Sequence, residues 1–174
     1  RDLPNHETLS QYTPPTISRI YSGEGRIIDE FATERRLFAP ANEIPDLVKQ
    51  AFISAEDKNF YVHRGYDMRG IAAAAVDAAR GGRIRGASTI TQQVMKNFLL
   101  GGERRAERKI KELILATRIE KTLSKEEILE LYLNEIDLGE RSFGVAAAAQ
   151  VYFNKPLSDL DAAEVAYLAI LPKA

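Results

Sequence analysis

Helical patterning with defined starts and stops is the feature that most constrains the fold of this 174-residue chain. Within residues 45–55, apolar side chains recur at spacings of three and four, which predicts a helix with one buried face. Residues 68–80 are rich in alanine and stop at Gly81 and Gly82, which predicts a second helix that can lie close to its neighbours. The chain is therefore expected to be mainly helical.

Two capping signals predict where further helices begin. Thr89 with Gln92, and Ser124 with Glu127, have the three-residue spacing of a capping box, in which each side chain bonds the other residue's backbone N–H. The first box predicts a helix that runs to Leu99, ahead of a glycine pair. The remaining predicted helices span residues 104–122, 128–134, 145–153 and 161–171.

The N-terminal part has a different pattern. Residues 1–15 are polar and contain three prolines, which is typical of a linker. Between residues 17 and 31, β-forming side chains flank a Gly-Glu-Gly turn, which predicts a small hairpin. We therefore divide the chain into a linker over 1–15 and one domain over 16–174, with a hairpin at 16–32 and a helical body at 43–174.

Composition narrows the classes of protein that this chain can represent. Apolar residues make up 45% of it and charged residues 28%, the balance of a folded globular domain. It has no cysteine, which excludes disulfides, a thiolate nucleophile and cysteine-bound metals. No apolar run reaches the ~18 residues that cross a bilayer. The chain also does not begin with Met, so we expect an excised domain of a longer protein.

The net charge of −1 conceals an uneven distribution. Residues 80–111 contain nine basic side chains and two acidic ones, so the rest of the chain is acidic. A basic zone on an acidic body suggests an anionic ligand, such as phosphate, nucleic acid or an anionic membrane surface. A solvated helix face is the plainer explanation, and charge alone favours it.

The segment after the first predicted helix carries the most distinctive chemistry, because an apolar helix runs directly into Glu56 and Asp57. A carboxyl group at the end of a buried helix is partly desolvated, and desolvation raises a carboxyl pKa toward the range of a general base. Acids at a helix C-terminus also oppose the helix dipole, so they do not serve helix stability. His63 can hydrogen-bond Asp57 or a nearby backbone group and hold the loop. The alternative is that both acids only solvate a turn.

Five short motifs follow one another between residues 56 and 153. The first reads E-D-x-x-F-x-x-H-x-G over 56–65. The others are GASTITQQ at 86–93 followed by Lys96-Asn97, RKIKE at 108–112, ILELYLN at 128–134, and Gly139 to Gly144 with AAQVYF at 148–153. In this order they resemble the signatures of the family 51 glycosyltransferases, the transglycosylase domains of class A penicillin-binding proteins and of monofunctional wall synthases. The predicted hairpin looks more like the class A proteins.

The resemblance implies a fold and a reaction. The fold is a lysozyme-like, two-lobed helical domain, and the reaction polymerises lipid II into β-1,4 glycan strands with inversion. The acceptor 4-hydroxyl attacks the anomeric carbon of the lipid-linked growing chain, and undecaprenyl pyrophosphate leaves. The implied location is the outer face of the bacterial cytoplasmic membrane, with an N-terminal anchor and a C-terminal transpeptidase domain in the parent protein. Neither an organic cofactor nor a nucleic-acid partner is expected.

The resemblance also assigns roles to residues. Glu56 matches the family's base and Glu112 its second acid. A pyrophosphate leaving group needs cations rather than a proton donor, and Lys96, Arg108 and Lys109 are the candidates. The full predicted substrate-binding set is Asp57, His63, Ser88, Thr89, Gln93, Lys96, Asn97, Arg108 and Lys109. The alternatives are helix capping for the glutamines and a plain surface ion pair between Arg108 and Glu112.

Two further expectations concern a metal and the membrane. Glu112 either orients the neighbouring cations or holds a divalent cation, Mg²⁺ or Mn²⁺, that bridges the pyrophosphate. Phe98, Leu99 and Leu100 lie between two basic segments, as an apolar tip that dips into a membrane would. The alternative for this tip is a buried helix end.

Two rival functions fit parts of the pattern. A lysozyme-like hydrolase would use Glu56 and Glu112 as its pair of carboxyl groups, but hydrolysis does not explain the clustered cations. A helical nucleic-acid-binding domain would use the basic zone at 80–111. That reading lacks a groove-reading motif and interleaved aromatic residues, so it ranks far behind.

Overall fold

The structure, a computed structural model, describes residues 20–21, 27–29, 35–82, 88–101 and 104–173. This part of the chain is mainly helical, as the sequence predicts, and none of its helices is long and apolar enough to cross a membrane. The described residues fall into two compact units, one built on Phe52–Leu129 and the other on Glu130–Ala174 with the segment before Phe52. The lysozyme-like arrangement stays a prediction. The helices are α1 (Asp46–Glu56), α2 (Met68–Ala79), α3 (Ile90–Leu99), α4 (Arg105–Ile119), α5 (Lys125–Glu135), α6 (Val145–Phe153) and α7 (Ala162–Ile170).

The strands are very short. β1 (Ile20–Tyr21) pairs antiparallel with β2 (Ile27–Asp29) in an irregular register. The turn expected between them and the linker expected over 1–15 lie outside the described residues, so the hairpin over 16–32 stays a prediction. A second pair, which the sequence does not predict, joins β3 (Arg35–Arg36) in parallel to β4 (Ser142–Phe143). Strands of two residues have too little alternation to be recognised in a sequence.

The first unit is held together by α3 and α4, which pack along each other. The capping box predicted at Thr89 and Gln92 is present, with both of its hydrogen bonds, and it fixes where α3 begins. Each fully buried large apolar side chain stabilises the fold by roughly 1.5–3 kcal/mol relative to an exposed one. The largest of them in this unit are Phe52, Phe60, Ile90, Met95, Leu115, Ile119, Ile128 and Leu129.

Helix α2 differs from the others because none of its residues is buried. Its inner stripe consists of the half-buried residues Gly70, Ala74 and Ala78, which are four positions apart and therefore share a face. These small side chains leave open space beside the helix rather than filling it. The alanine-rich sequence thus forms one wall of a cleft.

The second unit is organised by Asn134 near the end of α5. Its side-chain amide accepts from the Ala39 N–H at 2.8 Å and donates to the Ala39 carbonyl at 2.9 Å. Gly144 lies directly against the same residue, with a φ of +86° and no room for a Cβ, which would meet the Asn134 carbonyl oxygen at 2.5 Å. These contacts tie the segment at Ala39 to the last turn of α5 and give Asn134 a structural role.

Two helix ends differ from the sequence prediction. The helix predicted over 104–122 ends at Ile119, because the chain tightens into turns that bury Leu123. The next helix begins at Lys125 rather than at 128. The Ser124–Glu127 box explains this start, since Glu127 donates its N–H to the Ser124 hydroxyl at 3.1 Å and its carboxylate accepts the Ser124 N–H. A cap at residue 124 opens the helix at the following residue.

The loop after α1 packs on α4 through Gly65. This residue has a φ of +105°, and a Cβ built on it would lie 2.7 Å from both the carbonyl carbon and the carbonyl oxygen of Ala116. The loop backbone therefore touches the helix backbone directly. Only glycine combines this left-handed conformation with such a close approach.

We expect Gly65→Ala to destabilise the protein by about 2–4 kcal/mol, because it adds a backbone clash to the strain of a positive φ. Gly81 is a matched control, with a φ of +82° and open space around its Cβ position. Gly81→Ala should cost only about 1 kcal/mol. Urea unfolding of both variants measures the difference, and equal losses of stability would show that the contact with Ala116 is unimportant.

Candidate active site

A cleft of ≈ 360 Å³ opens in the first unit between the end of α1, helix α2 and the start of α3. This volume is within the range of small-molecule sites. Four of the predicted site residues line it: Glu56, Asp57, Ser88 and Thr89. The polar residues that line it and that the sequence analysis did not single out are Ser54, Lys58, Asn59, Asp67, Arg69 and Asp77.

Glu56 is the last residue of α1 and enters the cleft from the buried side of that helix. It follows Val48 and Phe52 at four-residue intervals, and both of these are fully buried. The side chain is half-buried, and its Oε1 atom has almost no contact with solvent. The helix thus places a carboxyl group at the boundary between core and cleft, as the sequence pattern indicated.

Asp57 and His63 form a buried pair behind the cleft wall. The Gly65 N–H donates to His63 Nδ1 at 3.1 Å, which makes Nδ1 the acceptor and leaves Nε2 to donate to Asp57 Oδ2 at 2.6 Å. The same Asp57 oxygen accepts the N–H of Ile90, the first residue of α3, at 3.0 Å. The expected Asp57–His63 bond is confirmed, while direct substrate contact by either residue stays a prediction.

Thr89 is buried, and its hydroxyl is used within the protein. It donates to the Gly65 carbonyl at 2.7 Å and accepts the Gln92 N–H at 3.1 Å. The Thr89 N–H is taken by the Gln92 side chain at 2.8 Å, and that of Ile90 by Asp57. Three amides at the start of α3 are therefore already bonded. Capping thus already uses these amides, and substrate binding by Thr89 stays a prediction.

The structure brings four predicted site residues together: Ser88, Arg108, Lys109 and Glu112. The Lys109 ammonium donates to the Ser88 hydroxyl and lies 3.3 Å from Glu112 Oε2. The Nε of Arg108 lies 3.7 Å from Glu112 Oε1. Because residues three and four apart share a helix face, α4 presents both cations beside one buried carboxylate. We call Ser88, Arg108, Lys109 and Glu112 the cationic cluster.

Glu112 is a poor site for a divalent cation. Each of its carboxylate oxygens already faces a positively charged side chain, at 3.3 and 3.7 Å, and a metal ion there would be repelled by both. A hard cation also prefers several oxygen ligands, and the described residues contain no group of three or more acidic, histidine or cysteine side chains that could hold one. The expected metal role of Glu112 does not fit its surroundings.

The rest of α3 carries the remaining predicted residues. Gln93 is half-buried, whereas Lys96 and Asn97 are exposed, and their substrate contacts stay predictions. Leu100 is buried, with 8% of its surface exposed, which favours the alternative of a buried helix end, and its membrane contact stays a prediction. The helix ends at Leu99, and the extended backbone at Leu100 returns that side chain to the core. Phe98 and Leu99 are half-buried, and their membrane role stays a prediction.

Asp67 is the most informative residue that the sequence analysis missed. It caps α2 by accepting the Arg69 N–H at 3.1 Å, and it accepts from the Asn59 side chain at 2.9 Å. The Asn59 hydrogen bond is the main reason why the pKa of Asp67 lies below its usual 3.8, with the Gly70 and Arg69 amides adding to it. An aspartate immediately before an alanine-rich helix is an N-cap signal that could have found it.

Comparison with known proteins agrees with the five-motif resemblance. The family model described as transglycosylase matches residues 24–174. The chain is 53% identical to penicillin-binding protein 1A of Rickettsia felis and 49% identical to that of Neisseria gonorrhoeae, with alignments that cover 100% and 99% of this chain. In each case it spans 22% of the relative's length. A crystal structure of penicillin-binding protein 1A from Haemophilus influenzae aligns with 94% of this chain and 15% of its own, at 28% identity and a TM-score of 0.48.

We expect Asp67→Ala to cost about 1 kcal/mol of stability near neutral pH, through the lost cap and the lost Asn59 bond. A carboxyl whose folded pKa is lowered stabilises the fold above its unfolded pKa, and this contribution disappears as the pH falls through the folded value. The cost should therefore shrink below about pH 4.

Urea unfolding of the wild type and Asp67→Ala at about pH 7 and about pH 3 measures this change. The control is Asp161→Ala, which removes the cap of α7, where Asp161 accepts the Glu164 N–H at 2.8 Å. It separates the loss of a cap from the loss of the Asn59 bond. A cost of Asp67→Ala that is equal at both pH values would contradict the assigned role.

Proposed function

Because the chain belongs to the transglycosylase family, we propose that it is an inverting peptidoglycan glycosyltransferase that joins lipid II units into β-1,4 glycan strands and releases undecaprenyl pyrophosphate. The observation that carries the proposal is the position of Ser88. It lines the same cleft as Glu56, and its hydroxyl accepts from Lys109 of the cationic cluster. A candidate base and a candidate leaving-group site are thus joined in one unit.

Glu56 acts as the general base in this proposal. A sugar hydroxyl is a weak nucleophile, and its attack needs a carboxylate that takes its proton as the new bond forms. The half-buried position of Glu56 at the edge of the cleft suits this task, since an acceptor sugar in the cleft can reach it. Attack from the face opposite the leaving group inverts the anomeric carbon and gives the β bond.

The cationic cluster stabilises the leaving group. Undecaprenyl pyrophosphate departs with its electrons, so the negative charge that develops on its phosphates must be met by cations already in place. Lys109 and Arg108 provide this charge from α4, and Lys109 also holds the Ser88 hydroxyl toward the cleft. Glu112 is the counter-ion that orients both cations, and a proton donor is not required.

The surroundings of Glu112 also weigh against a hydrolase. A glycoside hydrolase needs a protonated carboxyl group that donates to the leaving oxygen. Glu112 lies between Lys109 and Arg108 at 3.3 and 3.7 Å, an arrangement that suits a fixed negative charge. A metal, where the reaction uses one, would pair with the pyrophosphate and not with this carboxylate.

The names of the relatives suggest the wider setting. Since the chain spans 22% of proteins named penicillin-binding protein 1A, we place it as the glycosyltransferase part of a longer enzyme with a further, penicillin-binding transpeptidase domain. Its substrate is a membrane lipid, so the domain works at the outer face of the bacterial cytoplasmic membrane.

Glu56→Gln should bind lipid II and lose polymerisation by roughly 10²–10⁴-fold, because an amide cannot take the acceptor proton. The assay measures glycan chains on a gel and the release of undecaprenyl pyrophosphate from purified lipid II in detergent. Glu43→Gln, the same change at an exposed position in the second unit, is the control. Cleavage of finished glycan by the wild type, with no release of pyrophosphate lipid, would identify a hydrolase and overturn the proposal.

Lys109→Met should lower kcat by roughly 10²-fold, because one preorganised cation at the developing charge is lost. Lys121→Met is the control, since Lys121 is exposed and lies just beyond the end of α4. The same lipid II assay gives kcat and KM for both. If the two variants behave alike, the cationic cluster does not serve the leaving group.

A further inference from the structure

Hydrogen bonds behind the cleft join the loop after α1, the start of α3, the end of α4 and the start of α5. Together with the backbone of His63 and of Ile90–Thr91 they form a closed ring. Part of it is the Asp57 carboxylate, which accepts from the His63 ring and from the Ile90 N–H. The other part centres on Glu120, at the end of α4, and Lys125, at the start of α5. Neither of these two residues lines the cleft or belongs to the first three sequence motifs.

Lys125 makes three contacts, two of which are with the loop after α1. Its ammonium donates to the His63 carbonyl at 2.6 Å and to Glu120 Oε1 at 2.7 Å, and it lies 4.6 Å from the centre of the Phe60 ring. A lysine has three N–H donors, and an ammonium over an aromatic face is attracted by the ring. The loop is therefore held through its backbone as well as through the His63 ring.

Glu120 fixes the start of α3. Its Oε1 accepts the hydroxyl of Thr91 at 2.7 Å in addition to the Lys125 ammonium. Thr91 is fully buried and is the neighbour of Ile90, whose N–H is held by Asp57. The first turn of α3 is thus attached at two successive residues.

The ring reaches the cleft at Asp57 and lies close to both parts of the proposed active site. Glu56 precedes Asp57, and Ser88 stands two residues before Ile90, so one candidate residue lies close in sequence to each of these two members of the ring. The Glu120 side chain is 7% exposed and that of Lys125 21%, so the pair is largely shielded from solvent. An ion pair that is shielded in this way holds its geometry more firmly than an exposed one.

We propose that the Lys125–Glu120 ion pair is a positioning element that sets the distance between Glu56 and the Ser88–Lys109 contact. This rests on the proposed function, because it assigns to the pair the alignment of a base with a leaving-group site. A misplacement of reacting groups by about 1 Å can cost 10²-fold in rate. The pair acts through Asp57, His63 and Thr91 and does not touch substrate.

The test compares Lys125→Met, Lys125→Arg and the wild type in the lipid II assay. Lys125→Met should lower kcat roughly 10- to 100-fold with little change in KM, since binding groups remain while alignment is lost. Lys125→Arg, which keeps a cation able to reach the same acceptors, should recover part of this loss. An unchanged kcat in a folded Lys125→Met protein overturns the proposal.

A matched control separates positioning from stability. Lys155 forms an ion pair with Glu164 at 2.8 Å in the second unit, close to the 2.7 Å of the Lys125–Glu120 pair. Lys155→Met should leave kcat near the wild-type value. If it lowers kcat as much as Lys125→Met does, loss of any ion pair is sufficient and the assigned role is wrong.

Two further measurements keep the proposal testable. Should Lys125→Met fail to fold, Thr91→Val removes one hydrogen bond at nearly constant volume and should still lower kcat several-fold without a change in KM. An unchanged kcat in Thr91→Val then overturns the proposal.

The second measurement does not depend on activity. The chain has two histidines, so the ring nitrogens of His63 can be followed by NMR. Lys125→Met should shift these signals and speed hydrogen exchange at the Ile90 amide, whereas Lys155→Met should not. If the wild type fails to polymerise lipid II but these shifts appear, the proposed function is wrong, and what stands is that Lys125 fixes the positions of His63 and Ile90. If the signals are unchanged, the positioning element is wrong whatever the activity.

Discussion

The buried carboxylate of Asp57 is the interaction on which the first unit depends. Removing a carboxylate from water is costly unless donors inside the protein replace the lost hydration. His63 Nε2 and the Ile90 N–H provide these donors on a single oxygen, at 2.6 and 3.0 Å. One side chain therefore links the end of α1 to the start of α3. Glu56 precedes Asp57, and Ser88 lies two residues before Ile90. The link between Asp57 and Ile90 therefore sets the positions of two residues that line the cleft.

Helix α4 serves as the common support for the loop and for the cationic cluster. Glu112 and Ala116 are four residues apart and lie on the same face of the helix. Gly65 touches the Ala116 backbone, and Glu112 holds Arg108 and Lys109 one turn earlier. A shift of α4 would thus move Arg108, Lys109 and the loop together. Gly65 has no room for a methyl group because its backbone lies directly against the Ala116 backbone.

The acidic and the basic side chains around the cleft are held by different partners. Acidic side chains are held by hydrogen-bond donors of neighbouring side chains, as Asp57 is by His63 and Asp67 is by Asn59. Basic side chains of the cationic cluster are tied down by Glu112 on α4. A site arranged in this way can accept a proton on one side and stabilise a departing anion on the other.

Local patterns in the sequence determined much of this protein. Apolar spacing and capping boxes predicted the helices to within a few residues, because a helix is set by contacts between positions three and four apart. The same local rule brings Arg108 and Lys109 beside Glu112 on one helix face, and the order of five motifs identified the family. Family membership in turn carried the proposed roles of Glu56 and Glu112.

Tertiary structure alone decided which polar groups are used internally. Thr89 and the amides at the start of α3 matched a binding motif, yet they are bonded to Gly65, Gln92 and Asp57. Leu100 matched a membrane tip and is buried instead. Lys125 and Glu120 showed no pattern that would join them to His63. Such contacts depend on where distant segments of the chain meet, and sequence spacing fixes only neighbours along a single helix or strand.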